Sequence, residues 1–290
     1  MKKNVLIILI ALFISVAPNH TQGQGQSIEF GVFGGTSFYM GDLNPSNLFE
    51  MPQPAFGGLV RYNLSSRTAI KINGYYGHVA GDDAITKHNV NRNLHFRSHI
   101  MEFGANFEFN FFRYVTGHND YFITPYIFGG IAVFNFNPKA EYEGEWYELQ
   151  PLGTEGQGTV YYYDREPYSL TTLALPFGVG LKYSLSNTIS IGLEWGMRKT
   201  NTDYLDDVST TYADPNIIAA ENGPVAAALS DRSFSPVEGE SNVGMQRGDS
   251  QNKDWYSFAG LQLTLKFNYS RRGDCPAYHR HIKYREYFLR

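Results

Sequence analysis

Eight segments of about ten residues each alternate apolar and polar side chains along this chain. The connections between them are alternately short and long, and charged residues make up only 18% of the composition. These observations predict an all-β fold: an eight-stranded antiparallel transmembrane β-barrel with long extracellular loops and a short periplasmic C-terminal tail. A spanning strand must turn one face to lipid and the other to the barrel interior, which period-two alternation provides.

The last segment shows the pattern most plainly. Leu261, Leu263, Leu265, Phe267 and Tyr269 fall on one face, and Gln262, Thr264, Lys266 and Asn268 on the other. The same reading gives strands at about 27–40, 55–64, 67–79, 99–112, 121–136, 170–184 and 188–198. In the fourth, Met101, Phe103, Phe107 and Phe109 oppose Glu102, Asn106, Glu108 and Asn110. Pro125 and Pro176 count against the fifth and sixth unless each marks a bulge or a strand end. Ser65-Ser66, residues 113–120 and Ser186-Asn187 form short turns, whereas residues 41–54, 80–98, 137–169 and 199–254 form long loops. Short turns face the periplasm in outer-membrane barrels, so an even strand count places both termini there as well. A soluble sandwich or lipocalin-like barrel also alternates, but it would carry a richly charged second face. Here that face is mostly Gly, Ser, Thr and Asn, and aromatics near strand ends suit an interfacial girdle.

The N-terminus explains how the chain reaches that membrane. Lys2 and Lys3, an apolar run over residues 5–17 and small residues before a cut after Gly23 read as a signal peptide. Residues 1–23 are therefore export signal, 24–269 barrel and 270–290 periplasmic tail, which places the protein in the outer membrane. No later stretch is long and apolar enough for a spanning helix. Sparse, nearly balanced charge argues against nucleic acid and leaves outer-membrane lipid as the surrounding partner.

An eight-stranded barrel is filled by its own side chains. The inward set is Glu29, Glu102, Glu108 and Glu194 against Arg61, Lys71, Lys182, Arg198 and Lys266. This near balance predicts a salt-bridged plug, not a pore. Glycines such as Gly34, Gly58, Gly74, Gly104, Gly130, Gly180 and Gly196 would let the wall bend. Asp82-Asp83, Asp206-Asp207 and His78, His88, His95 and His99 read as solvated loop residues without a nucleophile–base–orienter arrangement. No catalytic, cofactor or metal residues are assigned; His279 and His281 lack a third ligand, and Arg247-Gly248-Asp249 carries no weight. Residues 217–229 allow one or two helical turns broken at Pro224. The tail holds six Lys/Arg against two acids, with interleaved aromatics, and the only cysteine. Arg271, Arg272, Tyr278, Arg280, Tyr284 and Arg285 suit a docking surface. Cys275 points to an intermolecular disulfide or a free thiol.

Three stretches carry a resemblance that periodicity does not supply: 31–45 with its Gly41-Asp42-Leu43-Asn44, 247–258 with Asp254-Trp255-Tyr256, and 271–276 ending in Cys275-Pro276. Together they resemble the outer-membrane β-barrel family of Bacteroidetes typified by PorG, a component of the type IX secretion system associated with protein transport and gliding motility. The resemblance implies a structural subunit without catalysis that tethers a periplasmic ring, built of a PorK-like lipoprotein and a PorN-like protein, to the outer membrane. The basic tail and Cys275 would then meet that ring. A surface receptor or adhesin, or an outer-membrane enzyme, is the alternative.

Overall fold

The computed structural model describes residues 27–234 and 241–268. The signal peptide, the tail residues Arg271, Arg272, Cys275, Tyr278, Arg280, Tyr284 and Arg285, and the pair His279 and His281 lie outside the described residues.

The chain from Ser27 onward forms an antiparallel barrel. Its strands are β1 (Ser27–Met40), β2 (Gln53–Asn63), β3 (Thr68–Asp82), β4 (His95–Asn110), β5 (Ile123–Tyr142), β7 (Thr171–Ser184), β8 (Ile189–Thr200) and β9 (Trp255–Asn268). Successive strands pair around the wall, β9 lies beside β1, and β4–β5 completes the circle. A short ninth strand, β6 (Glu145–Glu148), extends β5 as a hairpin beyond the rim, which leaves eight strands in the barrel. Among the described residues three short α-helices lie in the connections: α1 (Asp83–Thr86), α2 (Pro215–Glu221) and α3 (Pro224–Ser230). The break between α2 and α3 falls at Gly223-Pro224, as the proline requires. Among the described residues no helix is long and apolar enough to cross a membrane.

The wall carries its apolar side chains outward. Phe103 and Ile131 are each 65% exposed and Phe56 is 61% exposed, within a continuous band that includes Val32, Leu173 and Leu263. Soluble monomers do not present an apolar surface of this extent to water. Lipid is the solvent this exterior fits, so the fold is a transmembrane barrel of the outer-membrane type.

Toward the long-loop end the alternation changes sense. In β3 the outward Ile70 and Ile72 give way to His78 and Asp82, while the inward Val79 is fully buried. In β4 Arg97 and His99 face out, and Phe96 and Ile100 face in. In β5 Asn135, Asn137 and Lys139 face out, and Phe134 and Phe136 in. These strands leave lipid and continue as a soluble-type sheet, so β3 and β4 are longer than expected. Their connection shrinks to residues 83–94. The inward aromatics form a layer across the upper barrel, with Phe33 stacked on Tyr75 at 4.6 Å and Phe134 against Tyr256 at 5.0 Å.

The prolines and glycines have local reasons. Pro176 faces inward in β7, and the β5–β7 ladder skips it and Leu175 but keeps its register on both sides. A missing N–H costs the wall a ladder bond, not a bulge. Gly180 and Gly196 were expected to ease bending, but they make room for rings. A Cβ on Gly180 would lie 2.4 Å from the Tyr126 ring, and one on Gly196 2.5 Å from that of Phe128.

Candidate functional site

Three strands, β1, β4 and β8, aim four carboxylates into the barrel. Glu108 on β4 is the hub. It accepts from Arg61 Nε at 2.8 Å and Lys182 Nζ at 2.6 Å, and Lys71 Nζ stands 3.6 Å away. Arg61 also reaches Glu29 at 2.9 Å and Gln262 at 2.8 Å. Lys71 pairs with Glu194, which accepts Tyr126 Oη at 2.6 Å. Above them Arg198 donates to Glu102 at 2.9 Å, and Asn73 and Tyr256 donate to the same carboxylate. Lys266, the fifth base, donates to the Thr116 carbonyl at 2.8 Å. The predicted inward set is thus reproduced. Apart from the half-buried Lys266, each charge is buried against an opposite charge, the condition under which ions can be held in a low-dielectric tube.

Both ends of this column are closed. At the short-turn end, residues 111–122 fold inward. Thr116 Oγ1 donates to Glu29 at 2.9 Å and lies 3.0 Å from the Ser190 hydroxyl, and Tyr114 is buried beside it. Gly117, at φ +88°, brings this turn against Asn187, where a Cβ would lie 2.7 Å from the Asn187 Cα. At the other end the long connections form a packed cap over the aromatic layer. Leu43, Leu94, Leu149, Leu205, Val208 and Leu229 supply its apolar centre.

Two arginines knit that cap. Arg92 donates to both oxygens of Asp83, at 2.8 and 2.7 Å, and to the carbonyls of Asp42 and Arg247, both at 2.8 Å. Arg247 donates to Glu155 at 3.0 Å, the Asp207 carbonyl at 2.6 Å and the Ser230 carbonyl at 3.1 Å. Glu155 also accepts from the amides of Ser209 and Thr210. Asp207 accepts from Thr154 and from Tyr168 Oη, and Asp206 accepts from Tyr39 Oη. Asp254 accepts the Leu205 amide at 2.9 Å. Asp42, from the Gly-Asp-Leu-Asn stretch, accepts the Asp249 amide at 3.0 Å, so two of the resembling stretches meet here. Beside them lies a cleft of about 560 Å³ lined by Asp42, His88, Arg92, Asp249, Lys253 and Trp255.

Several expectations are therefore corrected. Asp83, Asp206 and Asp207 are fully or almost fully buried rather than solvated, because loops of this length bury their own polar groups. Arg247 is equally buried, so its tripeptide is not displayed. The stretch 217–229 packs through Ile218, Ala226 and Leu229. Asp82 caps α1 by accepting the Ala84 amide at 2.7 Å. His78 and His99 face outward across the β3–β4 ladder, His95 bonds the Glu141 amide at the rim, and His88 is exposed. Among the described residues no group of three His, Cys, Asp or Glu is placed to hold a metal ion.

Removing the charge of Glu108 leaves three buried cations facing a neutral group. Glu108→Gln is expected to destabilise the barrel by about 3–5 kcal/mol, read as a lower urea midpoint for loss of the heat-modifiable band. An unchanged midpoint would show that the network is not what holds the barrel.

The cap carries a second dependence. Burial, reinforced by neighbouring carboxylates, pushes Asp206 and Asp254 well above the usual range. Burial also pushes Asp203 up to about 7 and, opposed by Arg247, Asp207 up to about 6. An unfolded aspartate titrates near 3.9. Values raised in the folded state stabilise the cap fully below about pH 4, and that contribution is lost as pH rises through 6 to 7. Hydrogen exchange at Leu205, Val208 and Ser209 should accelerate roughly three- to ten-fold between pH 5 and pH 8 beyond the intrinsic rate change. Asp203→Asn should flatten that increase, and a flat wild-type profile would refute the account.

Solved structures similar to this chain include outer-membrane barrels. The N-terminal β-barrel domain of Pseudomonas aeruginosa OprF is 14% identical, with 84% of this chain and 100% of that one covered and a TM-score of 0.35. The attachment invasion locus protein Ail of Yersinia pestis, in complex with the heparin analogue sucrose octasulfate, is 7% identical over 84% and 100%, with a TM-score of 0.40. Neisserial surface protein A is 8% identical over 84% and 98%, with a TM-score of 0.39. No curated protein matches the chain. The profile of the family described as "Domain of unknown function (DUF6089)" matches residues 3–151, just over half of the sequence, and the chain belongs to that family.

Proposed function

We propose that this protein is a non-conducting structural subunit of the type IX secretion system that tethers the periplasmic ring to the outer membrane. The observation that carries the reading is the interior: salt-bridged through its lower half, aromatic above and closed at both ends. A barrel so filled offers substrates no path and serves by holding its place in the membrane. The stretches resembling PorG-type barrels supply the system, and the reading assigns the chain no catalysis. The long loops then face outward, both termini face the periplasm, and PorK-like and PorN-like ring proteins are the partners. A second reading, a surface receptor, is favoured by one feature of the cap: Val160 and Tyr163 are 84% and 87% exposed at a loop tip.

Two measurements test the proposal. In planar bilayers the purified protein should show no steady conductance of the porin kind; stable ion-selective openings by wild type would sink it. Deleting residues 271–290 should leave the barrel folded and heat-modifiable but abolish co-purification with the ring and secretion of cargo bearing the sorting signal. Comparing Cys275→Ser with wild type on non-reducing gels reads any bridge separately. A truncated protein that still binds the ring and supports secretion would remove the tail from the contact.

A further inference from the structure

Where the wall leaves lipid, its outward face becomes basic on one side only. Cross-strand pairing places His78, His99 and Asn137 in one row and Arg97 beside Lys139 in the next. The rows beneath are Tyr76, Met101, Asn135 and Thr171, then Phe103, Val133 and Leu173. The Arg97 and Lys139 cations thus sit above the apolar band, with the imidazole row and the mixed row of Tyr76, Met101, Asn135 and Thr171 between. Ten residues of β4 separate Phe109, near the short-turn end, from His99. For a strand tilted about 40° this is about 25 Å along the barrel axis, the height of the lipid-facing band in this class. His99 and Arg97 therefore stand at the level of lipid headgroups.

The charges are available. Arg97 is exposed, and among the described residues no carboxylate pairs with it. Its guanidinium lies 3.5 Å over the Trp146 ring, which fixes its plane while leaving its N–H edge free. His99 Nε2 shares a contact with Asn135 Oδ1 at 3.1 Å, and His78 Nε2 contacts Tyr76 Oη at 3.4 Å. Lys139 is half-committed, to Glu148 at 2.9 Å. The acids Asp82 and Glu141 lie in the row above, so an anion is bounded on the water side. On the far wall at this level, among the described outward residues of β7, β8, β9 and β1, the one cation is Lys199, which sits 5.6 Å over Trp255.

We propose that this face of β3, β4 and β5 binds the phosphate of a phosphorylated glycolipid in the outer leaflet. Arg97 offers its planar fork to the phosphate, the imidazoles and Lys139 add donors, and the Asn and Thr side chains beneath suit sugar hydroxyls. Acyl chains continue down the apolar rows of Phe103, Val133 and Leu173. A lipid anion satisfies the whole surface at once, because the charge lies at headgroup height, the polar and mixed rows lie beneath it and the apolar rows follow below those.

The proposal rests on the orientation given above, with long loops outward, and the experiment separates the two. Purified full-length protein in detergent micelles is incubated with bisphosphorylated lipid A, its dephosphorylated counterpart or inorganic phosphate, and retention is read by native mass spectrometry. Wild type should retain the phosphorylated lipid about ten-fold more tightly than the dephosphorylated one, and added salt should weaken it. R97Q/H99Q/K139Q should bring the two lipids within about two-fold of one another, with heat-modifiable mobility unchanged because these side chains face outward. R97K alone should keep part of the preference. Equal retention of both lipids by wild type, or a triple variant that behaves as wild type, overturns the site. Inorganic phosphate binding as tightly as the lipid overturns the glycolipid assignment. Orientation is read separately by an impermeant thiol reagent on intact cells, with cysteine introduced at Ser250 or Ser186 on the Cys275→Ser background. Labelling at Ser186 and not at Ser250 would place the face in the wrong leaflet and remove the proposal, whatever the affinity.

Discussion

The Glu108 carboxylate, with Arg61, Lys71 and Lys182 converging on it, sets the constraint from which the rest of the barrel follows. A narrow barrel has no room for bulk water inside, so its polar face must satisfy itself. Charges do this only with fixed partners, and these partners come from different strands: β2, β3, β4 and β7 meet at this one carboxylate. Register is thereby specified from both faces. A slip of one residue would send Lys71 and Glu108 into lipid and Ile70 and Phe107 into the charge network, and each displacement is expensive. The outer face alone would specify side but not height; the network specifies height.

Above the charges the interior changes chemistry, and that change ties the wall to its cap. Phe33, Tyr75, Phe134, Phe136 and Phe258 separate the ionic column from the loops and give the loops an apolar floor. Leu205, Val208 and Leu229 pack down onto that floor, and the polar groups they carry with them cannot reach water. Arg92 and Arg247 then resolve what would otherwise be an accumulation of buried carbonyls and carboxylates. Anything this protein binds must therefore bind on its outside: on the cap, on the turns, on the tail or on the wall.

Strand number, strand order and the inward charges were legible because lipid and a filled interior impose opposite demands on alternate residues. The upper ends of β3, β4 and β5 were not. There the alternation inverts, with Val79, Phe96 and Phe136 inward and His78, Arg97 and Asn137 outward, so a count of apolar outward residues stops at the lipid boundary. The inversion marks that boundary better than it marks a strand end. The plug of residues 111–122 was unreadable for another reason. Thr116 and Tyr114 are ordinary turn residues, and only the depth of Glu29 and Ser190 beneath them shows where they go. The acids of the cap gave the opposite error. Asp206-Asp207 looks like a solvated pair because charge in a loop usually is; its burial depends on Tyr39, Thr154 and Tyr168, residues 39 to 167 positions from the aspartates they bond, which no local pattern connects to it.

Two of the three stretches that carry the family-like signature illustrate what such motifs can encode. Asp42 and Asp249 lie 207 positions apart, yet the carboxylate of one holds the amide of the other. Leu43 is buried in the cap, and Asn44 donates to the Tyr39 carbonyl and closes its own turn on Asn47. Asp254 fixes the Leu205 amide as the chain enters β9, and Trp255 stands beneath Lys199 at the rim. Gly41 and Gly248 stand where backbone meets carboxylate; a Cβ on Gly41 would lie 2.0 Å from Asp254 Oδ1, and one on Gly248 2.4 Å from Asp42 Oδ2. Small residues and short acids are what this junction of first and last strands can accommodate. The signature is therefore accounted for by how the barrel's ends are joined under the cap, without recourse to a bound substrate, and specificity for a partner has to be sought in the surfaces this junction leaves free.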